Sequence, residues 1–533
     1  MVNGMSVRRK PVSYGVLLAL VLAVLGTFAS SAAAADGTAS RYVPVGPIRL
    51  ADTRAPARGG YTKLDVSTIR VPVAGKGGAP SDATAAVLTI TVTESRGAGY
   101  VSVFPAGTPR PDTSTLNLNG WNQTVANTTL IPLSSGAVDI YASVGVQILV
   151  DVAGAFVPTG GAATAGRFVG TATGATRVYD SRNSGPLTGN GVVRIARPNF
   201  VPADASAIVA NLTVTASSGP GFWTAWSAGG PRPDASVLNT EASGQTRAAL
   251  TIVPISAQGF DVFGSIGGHL LVDVAGYFTG PSAANSGEGL FVPITPVRAL
   301  DTRSSGYPVG AGSAVEFAAP RQGAALVYNL TSTGAVATGF VTAYPAGTSR
   351  PNASNVNAPA PGYTVANLSV TTQSVRGVAL FSAAGEHLMA DVTGYFTGTP
   401  IAAALPAPPP PTTPPGCVAG DVGRINTIRA SVGVAAVQPD ELALKFACEW
   451  SKQMSDTKSF SHSPGSRRDP AVGGCGSGEN IAYSSGNTDL FQLWIDSRPH
   501  YENMIYSPYT HAAIGYYTGP NGTYGTMVLV IRC

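Results

Sequence analysis

Between residues 41 and 398 the chain is a succession of short apolar runs broken by Gly, Pro, Asn and Ser. Apolar and polar positions tend to alternate, as in Tyr100-Val101-Ser102-Val103-Phe104, and Val, Thr, Ile and aromatics dominate. A period of two predicts strands with one buried face. The runs AAVLTITVT, AIVANLTVT and ALVYNLTST are near copies, and each sits inside a longer copy. The copies open RYVPVGPIRLADTR, GRFVGTATGATRVYDSR and GLFVPITPVRALDTR, and close ILVDVAGAF, LLVDVAGYF and LMADVTGYF. Asp52, Asp180 and Asp301 recur at spacings of 128 and 121 residues. Strands about ten residues apart, with no helical segment between, predict a sandwich or closed barrel. A copy of this length can hold its own core. The expectation is therefore three tandem all-β, sandwich-like repeats, independently folded, over 36–159, 160–281 and 282–399.

The pattern changes at both ends. Residues 400–416 contain the run LPAPPPPTTPPG, which favours an extended spacer. Beyond it, Pro439-Asp440-Glu441 opens a helix with Leu442, Phe446 and Trp450 at i+4 spacing and Ala443 and Ala447 beside them. Thr488 is the expected cap of DLFQLWIDS, whose Leu490, Leu493 and Trp494 share a face and which Pro499 ends. Gly519-Pro520-Asn521-Gly522 predicts the turn of a closing hairpin. Helices first and paired strands last give an α+β domain over 417–533. At the other end, Arg8, Arg9 and Lys10, an apolar run over 16–28 and Ala33-Ala34-Ala35 form a secretory signal pattern over 1–35. The run falls short of the roughly 20 residues of a spanning helix, and no second one of spanning length follows. The protein is expected to be secreted, with no membrane span in the mature chain.

Composition narrows the function classes. A charged fraction of 12% with 64 Gly and 41 Pro suits short strands joined by turns. Net charge is +4 with no Lys/Arg cluster outside the signal pattern, which argues against nucleic acid. All four cysteines lie beyond residue 416, an even count that reads as disulfides in an exported chain. In the repeats, Asp52/Arg54, Asp180/Arg182 and Asp301/Arg303 recur, as do Arg110, Arg232 and Arg350 and Asp151, Asp273 and Asp391. Such groups could bind a sugar or wall anion. The preferred reading is that they staple strand ends, since buried charges need partners. Asn117, Asn239 and Asn357 are expected to bond turn backbone.

The copies are similar to a repeat of exported proteins from high-GC Gram-positive bacteria, which implies a surface location. The last segment resembles the CAP superfamily: cysteine-rich secretory proteins, venom allergens, plant pathogenesis-related proteins and bacterial relatives. The resemblance rests on INTIRASVGV, Phe460-Ser461-His462, Gly478-Glu479-Asn480-Ile481-Ala482, Trp494, His500-Tyr501-Glu502-Asn503-Met504 and Ala513-Ile514-Gly515. It implies an α/β/α sandwich with a cleft of two histidines and two acids. His462, Glu479 and His500 match three of these. Ser497 stands at the fourth place, and Asp496 beside it would point elsewhere. Two imidazoles and a carboxylate make an open site for zinc or a similar divalent ion, with His462 and His500 as ligands. His511 is read as a strand-entry residue and Glu502 as a solvated helix face. Of the three disulfide pairings open to four cysteines, the one expected is Cys417–Cys533, tying the domain's ends, with Cys448–Cys475.

Three functions remain open: a module binding a lipid, glycan, cell-wall ligand or metal ion in the cleft, displayed by the repeats; a metal-dependent hydrolase with Glu479 activating water; and a structural wall or coat protein. The absent second acid favours binding over catalysis.

Overall fold

The computed structural model describes residues 37–304, 306, 308–403 and 414–532. The expected signal peptide, the proline run and Cys533 lie outside the described residues. The chain divides into two compact units, Met1–Ala403 and Ala404–Cys533.

The first unit is built of antiparallel strands, and one pairing scheme recurs in each copy. In the first, Ala85–Thr93 lies between Val125–Pro132 and Gln147–Pro158, and Gln147–Pro158 also pairs with the opening strand Ser40–Asp52. A second sheet carries Thr68–Pro72, Ala137–Ala142, Arg96–Pro105 and Leu116–Trp121. Matching sets surround Ala207–Thr215 and Ala325–Thr333. Each pair of sheets encloses an apolar core, with Leu88, Val150 and Ile140 in the first, Leu212, Trp223 and Val272 in the second, and Leu330, Val341 and Leu388 in the third.

Beyond these three cores the copies share a further one, so they are packed together and not strung as separate beads. Its centre is six rings, one from each opening motif (Tyr42, Phe168, Phe291) and one from each closing motif (Phe156, Phe278, Phe396). Tyr42 stacks on Phe278 at 4.2 Å, Phe168 on Phe396 at 4.5 Å, and Phe291 lies 4.6 Å from Phe156. Each opening ring thus packs on the closing ring of the next copy, and the order closes on itself. The closing glycine makes room: a Cβ on Gly154 would stand 2.2 Å from the Tyr42 ring, and one on Gly394 2.4 Å from Phe291. A β-bulge precedes this glycine in all three copies, between Val87/Leu88, Val209/Ala210 and Val327/Tyr328 of the partner strand.

Polar contacts follow the same cyclic order but differ at each boundary. Asn119 exchanges two hydrogen bonds with the backbone of Thr364. The corresponding Glu241 accepts from the Thr124 backbone. The corresponding residue of the third copy is Pro359. Asn127 donates to Asn329, and Asn367 to Asn211.

The shared charged residues are staples. Arg49, Arg177 and Arg298 sit directly across the strand pair from Asp151, Asp273 and Asp391 and grip them with both fork nitrogens. Burial raises all three aspartate pKa values, and the arginines offset it in part. Asp52, Asp180 and Asp301 instead hold Arg54, Arg182 and Arg303. Arg110, Arg232 and Arg350 lie over Tyr141, Phe263 and Phe381, 3.7–4.0 Å from the ring centroids. Asn117, Asn239 and Asn357 do not bond turn backbone as expected. Each accepts from the serine three residues before it.

The second unit is a three-layer α/β/α sandwich. Its sheet runs Cys417–Ala419, His511–Gly519, Gly522–Ile531, Gly476–Ser484. Alternate strand residues face opposite layers. Ala512, Ile514, Met527 and Leu529 pack with Ile425, Phe491, Trp494 and Met504, while Ala513, Val528 and Val530 meet Phe446, Trp450 and Met454. The helix Glu441–Thr457 forms as expected, capped by Asp440, whose carboxylate accepts from Ala443 N at 2.9 Å. Its buried stripe is Ala443, Phe446, Ala447, Trp450 and Met454, and Leu442 is exposed. The cap of Leu490–Asp496 is Asp489, not Thr488. Pro499 does not simply end a helix; it starts the next, Arg498–Met504. The expected hairpin forms, with Gly519 opposite Gly522.

The expected disulfide pairing is overturned: the bond is Cys417–Cys448. Edge strand Cys417–Ala419 pairs with His511–Gly519, and the helix Glu441–Thr457 presses so closely on that strand that a Cβ on Gly515 would stand 2.6 Å from Cys448 N. The two sulfurs therefore meet at the sheet edge. Cys475 is also disulfide-bonded. Among the described residues no helix is long and apolar enough to cross a membrane.

Candidate functional site

Glu479 projects from strand Gly476–Ser484, where it pairs with Val528. Its side chain is 1% exposed. Oε1 accepts from His462 Nδ1 at 2.8 Å and Ser463 N at 2.9 Å, and Oε2 accepts from the Ser463 hydroxyl at 2.6 Å. Arg468 Nη1 lies 3.8 Å from Oε1. With Nδ1–H committed to the carboxylate, Nε2 is the nitrogen of His462 left without a partner among the described residues. The His462 side chain is 56% exposed. Its loop is tied down by Trp450, whose indole donates to the Ser461 carbonyl at 3.0 Å.

His500 is carried by Arg498–Met504, and the GENIA strand positions that helix. Asn480 donates to the His500 carbonyl at 2.9 Å, Asn503 donates to Asn480 Oδ1 at 2.8 Å, and Tyr509 donates to Asn503 Oδ1 at 3.0 Å. Gly478 leaves space for this triad, since a Cβ there would lie 2.1 Å from the Tyr509 oxygen. His500 Nδ1 is buried with no protein partner. Its pKa is lowered, first by burial and then by repulsion from His462.

His462, Glu479 and His500 thus line one cleft, together with Asn480, Glu502 and Tyr509. His462 and His500 also border an adjoining lobe walled by Phe460, Ile481, Tyr483, Leu493 and Trp494. The first lobe is lined mainly by polar side chains and the second by more apolar ones, both surfaces being mixed, and the two imidazoles border both. Ser497, at the place of the missing acid, borders the second lobe, while Asp496 is exposed and accepts from Gln492. Glu502 is exposed, as expected of a helix face, and pairs with Arg498 at the rim of the first lobe. His511 starts its strand beside Thr510 and lines neither lobe.

Among the described residues no three His, Cys, Asp or Glu are grouped to hold a metal ion. Glu479 is held by His462 and Ser463, which leaves the two imidazoles as the nitrogen donors that border the cleft. Sequence reasoning missed Ser463 and Arg468. Ser463 directly follows the Phe-Ser-His motif, and Arg468 lies on the helix Gly465–Val472, whose one buried position gives no periodic signal.

Residues 422–531 match the family model described as the cysteine-rich secretory protein family, CAP. The C-terminal unit is a CAP domain. No curated protein matches the chain. Among solved structures, the chain is similar to the STIV MCP at 8% identity, over 43% of this chain and 96% of that one, with a TM-score of 0.13. The triple jelly roll of an archaeal virus is 10% identical over 69% and 92%, with a TM-score of 0.15. The Sulfolobus Turreted Icosahedral Virus structure is 12% identical over 63% and 85%, with a TM-score of 0.14. TM-scores this low carry no argument about this chain.

Proposed function

We propose that the chain is an exported protein whose CAP domain is a binding module, with the first unit as its display. The ligand has a polar head seated at His462 and His500 and an apolar body in the neighbouring lobe, as a lipid or a glycolipid would. A divalent ion such as zinc would be held by the two imidazoles, with water completing its shell, and would supply a positive anchor for the head. One observation carries this reading. Both oxygens of Glu479 are engaged by Ser463 and His462 in a side chain closed to solvent, so this carboxylate aims an imidazole instead of activating water. A hydrolase would require a carboxylate free to take a proton.

The test is zinc titration of the full chain by calorimetry, alongside digestion assays on casein and peptidoglycan. Binding is expected to be weak, lost in His462→Ala and in His500→Ala, and unchanged in His511→Ala. Cleavage of either polymer that is lost in Glu479→Gln would replace this reading with the hydrolase.

A further inference from the structure

Where the first and second copies of the first unit meet, a groove of about 700 Å³ opens, within the roughly 300–1,000 Å³ of small-ligand sites. The first copy contributes Arg49, Arg54 and Arg58, and the second Phe222, Arg232 and Asn239. Two of these arginines are already committed. Arg49 grips Asp151, and its Nη2 donates across the boundary to the Asp234 carbonyl at 3.1 Å. Arg54 shares its fork with Asp52 and remains about half exposed. The other two are not. Arg58 and Arg232 are exposed and form no ion pair among the described residues, although Arg232 is held in place over the Phe263 ring at 3.9 Å. Phe222 packs beside Phe263 and is 40% exposed. The wall therefore offers a flat ring, an amide and two cations that form no ion pair among the described residues. Asp234 also lines the groove and brings a carboxylate acceptor to it.

We propose that this groove binds an acidic saccharide. A sugar ring lies against Phe222, its hydroxyls reach Asn239 and Asp234, and its carboxylate or phosphate is taken by Arg58 and Arg232, whose planar forks suit both groups. A neutral sugar leaves both cations unpaired, and a simple anion makes no use of the ring. The stacked Arg and aromatic pair recurs in the other copies, with Arg110 over Tyr141 beside Tyr100 and Arg350 over Phe381 beside Phe340. Arg58 has no counterpart there, because the residues after Arg182 and Arg303 run Asn-Ser-Gly and Ser-Ser-Gly. The boundary between copies one and two is thus the strongest site. The proposal is independent of the CAP cleft.

The experiment is calorimetry on the full chain with four probes: a galacturonate hexamer, a phosphorylated mannose oligomer, cellohexaose and inorganic phosphate. At least one of the two acidic oligomers is expected to bind, and which one binds identifies the acid. Arg58→Ala/Arg232→Ala should weaken binding at least tenfold with the melting temperature unchanged, as should Phe222→Ala. If the double variant melts early, Arg58→Ala alone should still weaken binding and strengthen its salt tolerance. The proposal is overturned if neither acidic oligomer binds at millimolar concentration, if cellohexaose or inorganic phosphate binds equally well, or if the variants leave affinity unchanged.

Discussion

The two units handle a buried carboxylate in opposite ways. In the first, Asp151, Asp273 and Asp391 are each closed by both fork nitrogens of an arginine from the facing strand. In the CAP domain, Glu479 is just as buried, but its hydrogen-bond partners are a serine and one nitrogen of an imidazole, with Arg468 standing back at 3.8 Å. The second nitrogen of that ring stays available. A guanidinium has donors only and no acceptor, so an arginine in that place could not present a lone pair. The same device is a staple in one unit and an aiming mount in the other, and the partner's chemistry decides which.

Four changes would break or sharpen this contrast. The largest effect is expected at the nucleus the three copies share. Phe278→Ala removes a fully buried ring that contacts Tyr42, Phe156, Phe168 and Phe396, at a cost of about 3–5 kcal/mol. Calorimetry should show the β-rich unit melting earlier as a whole; a shift confined to the middle copy would restore three independent domains. Cys448→Ala comes next. Closing a loop with a sequence separation of 31 contributes about 3–4 kcal/mol in the chain-entropy model. Denaturant unfolding should show that loss in the CAP domain, and peptide mapping of the oxidised protein should recover Cys417 joined to Cys448. Arg177→Ala leaves Asp273 buried and unpaired, which costs about 3 kcal/mol. Arg177→Leu with Asp273→Leu should cost much less, and equal losses would show that the pair does more than staple. The smallest effect is a pH slope from His500. Its folded pKa lies below the ordinary value near 6.5, so the unfolded chain takes up the proton first. Stability contributed by this residue is full above about pH 7 and falls as pH drops through 6.5. His500→Asn should flatten that part of the stability curve.

Much of this was legible in the sequence, for reasons that differ by region. The strands and the closing hairpin announce themselves through alternation and turn residues, because both are local. The Phe-Ser-His and Gly-Glu-Asn-Ile-Ala motifs placed His462 and Glu479 in one cleft, and the structure brings them together with His500. What the sequence hid is long-range. The aromatic of each opening motif looks like any strand residue, and nothing local says that its neighbour is the closing ring of another copy. Cys448 could not be paired by reading inward from the domain's ends, because its partner is decided by how tightly a helix lies on Gly515. Leu442 fitted an i+4 stripe, but the buried arc of a helix is set by what faces it. Glu386 is the residue that neither reading explains. It is fully buried, its carboxyl pKa is raised by that burial, and the nearby Ser382 offsets only part of the cost.

The closed order of the three copies changes what a single substitution can do. Were they three separate identical chains, every change would appear at all three boundaries at once, and one unfavourable contact would be tripled. Within one polypeptide a change enters one boundary and leaves the other two to hold the ring. The amide pair at Asn119 and Thr364, the carboxylate at Glu241 and the proline at position 359 are three different outcomes at one architectural position. Covalent linkage therefore gives the ring the geometry of a trimer and the mutational freedom of a monomer.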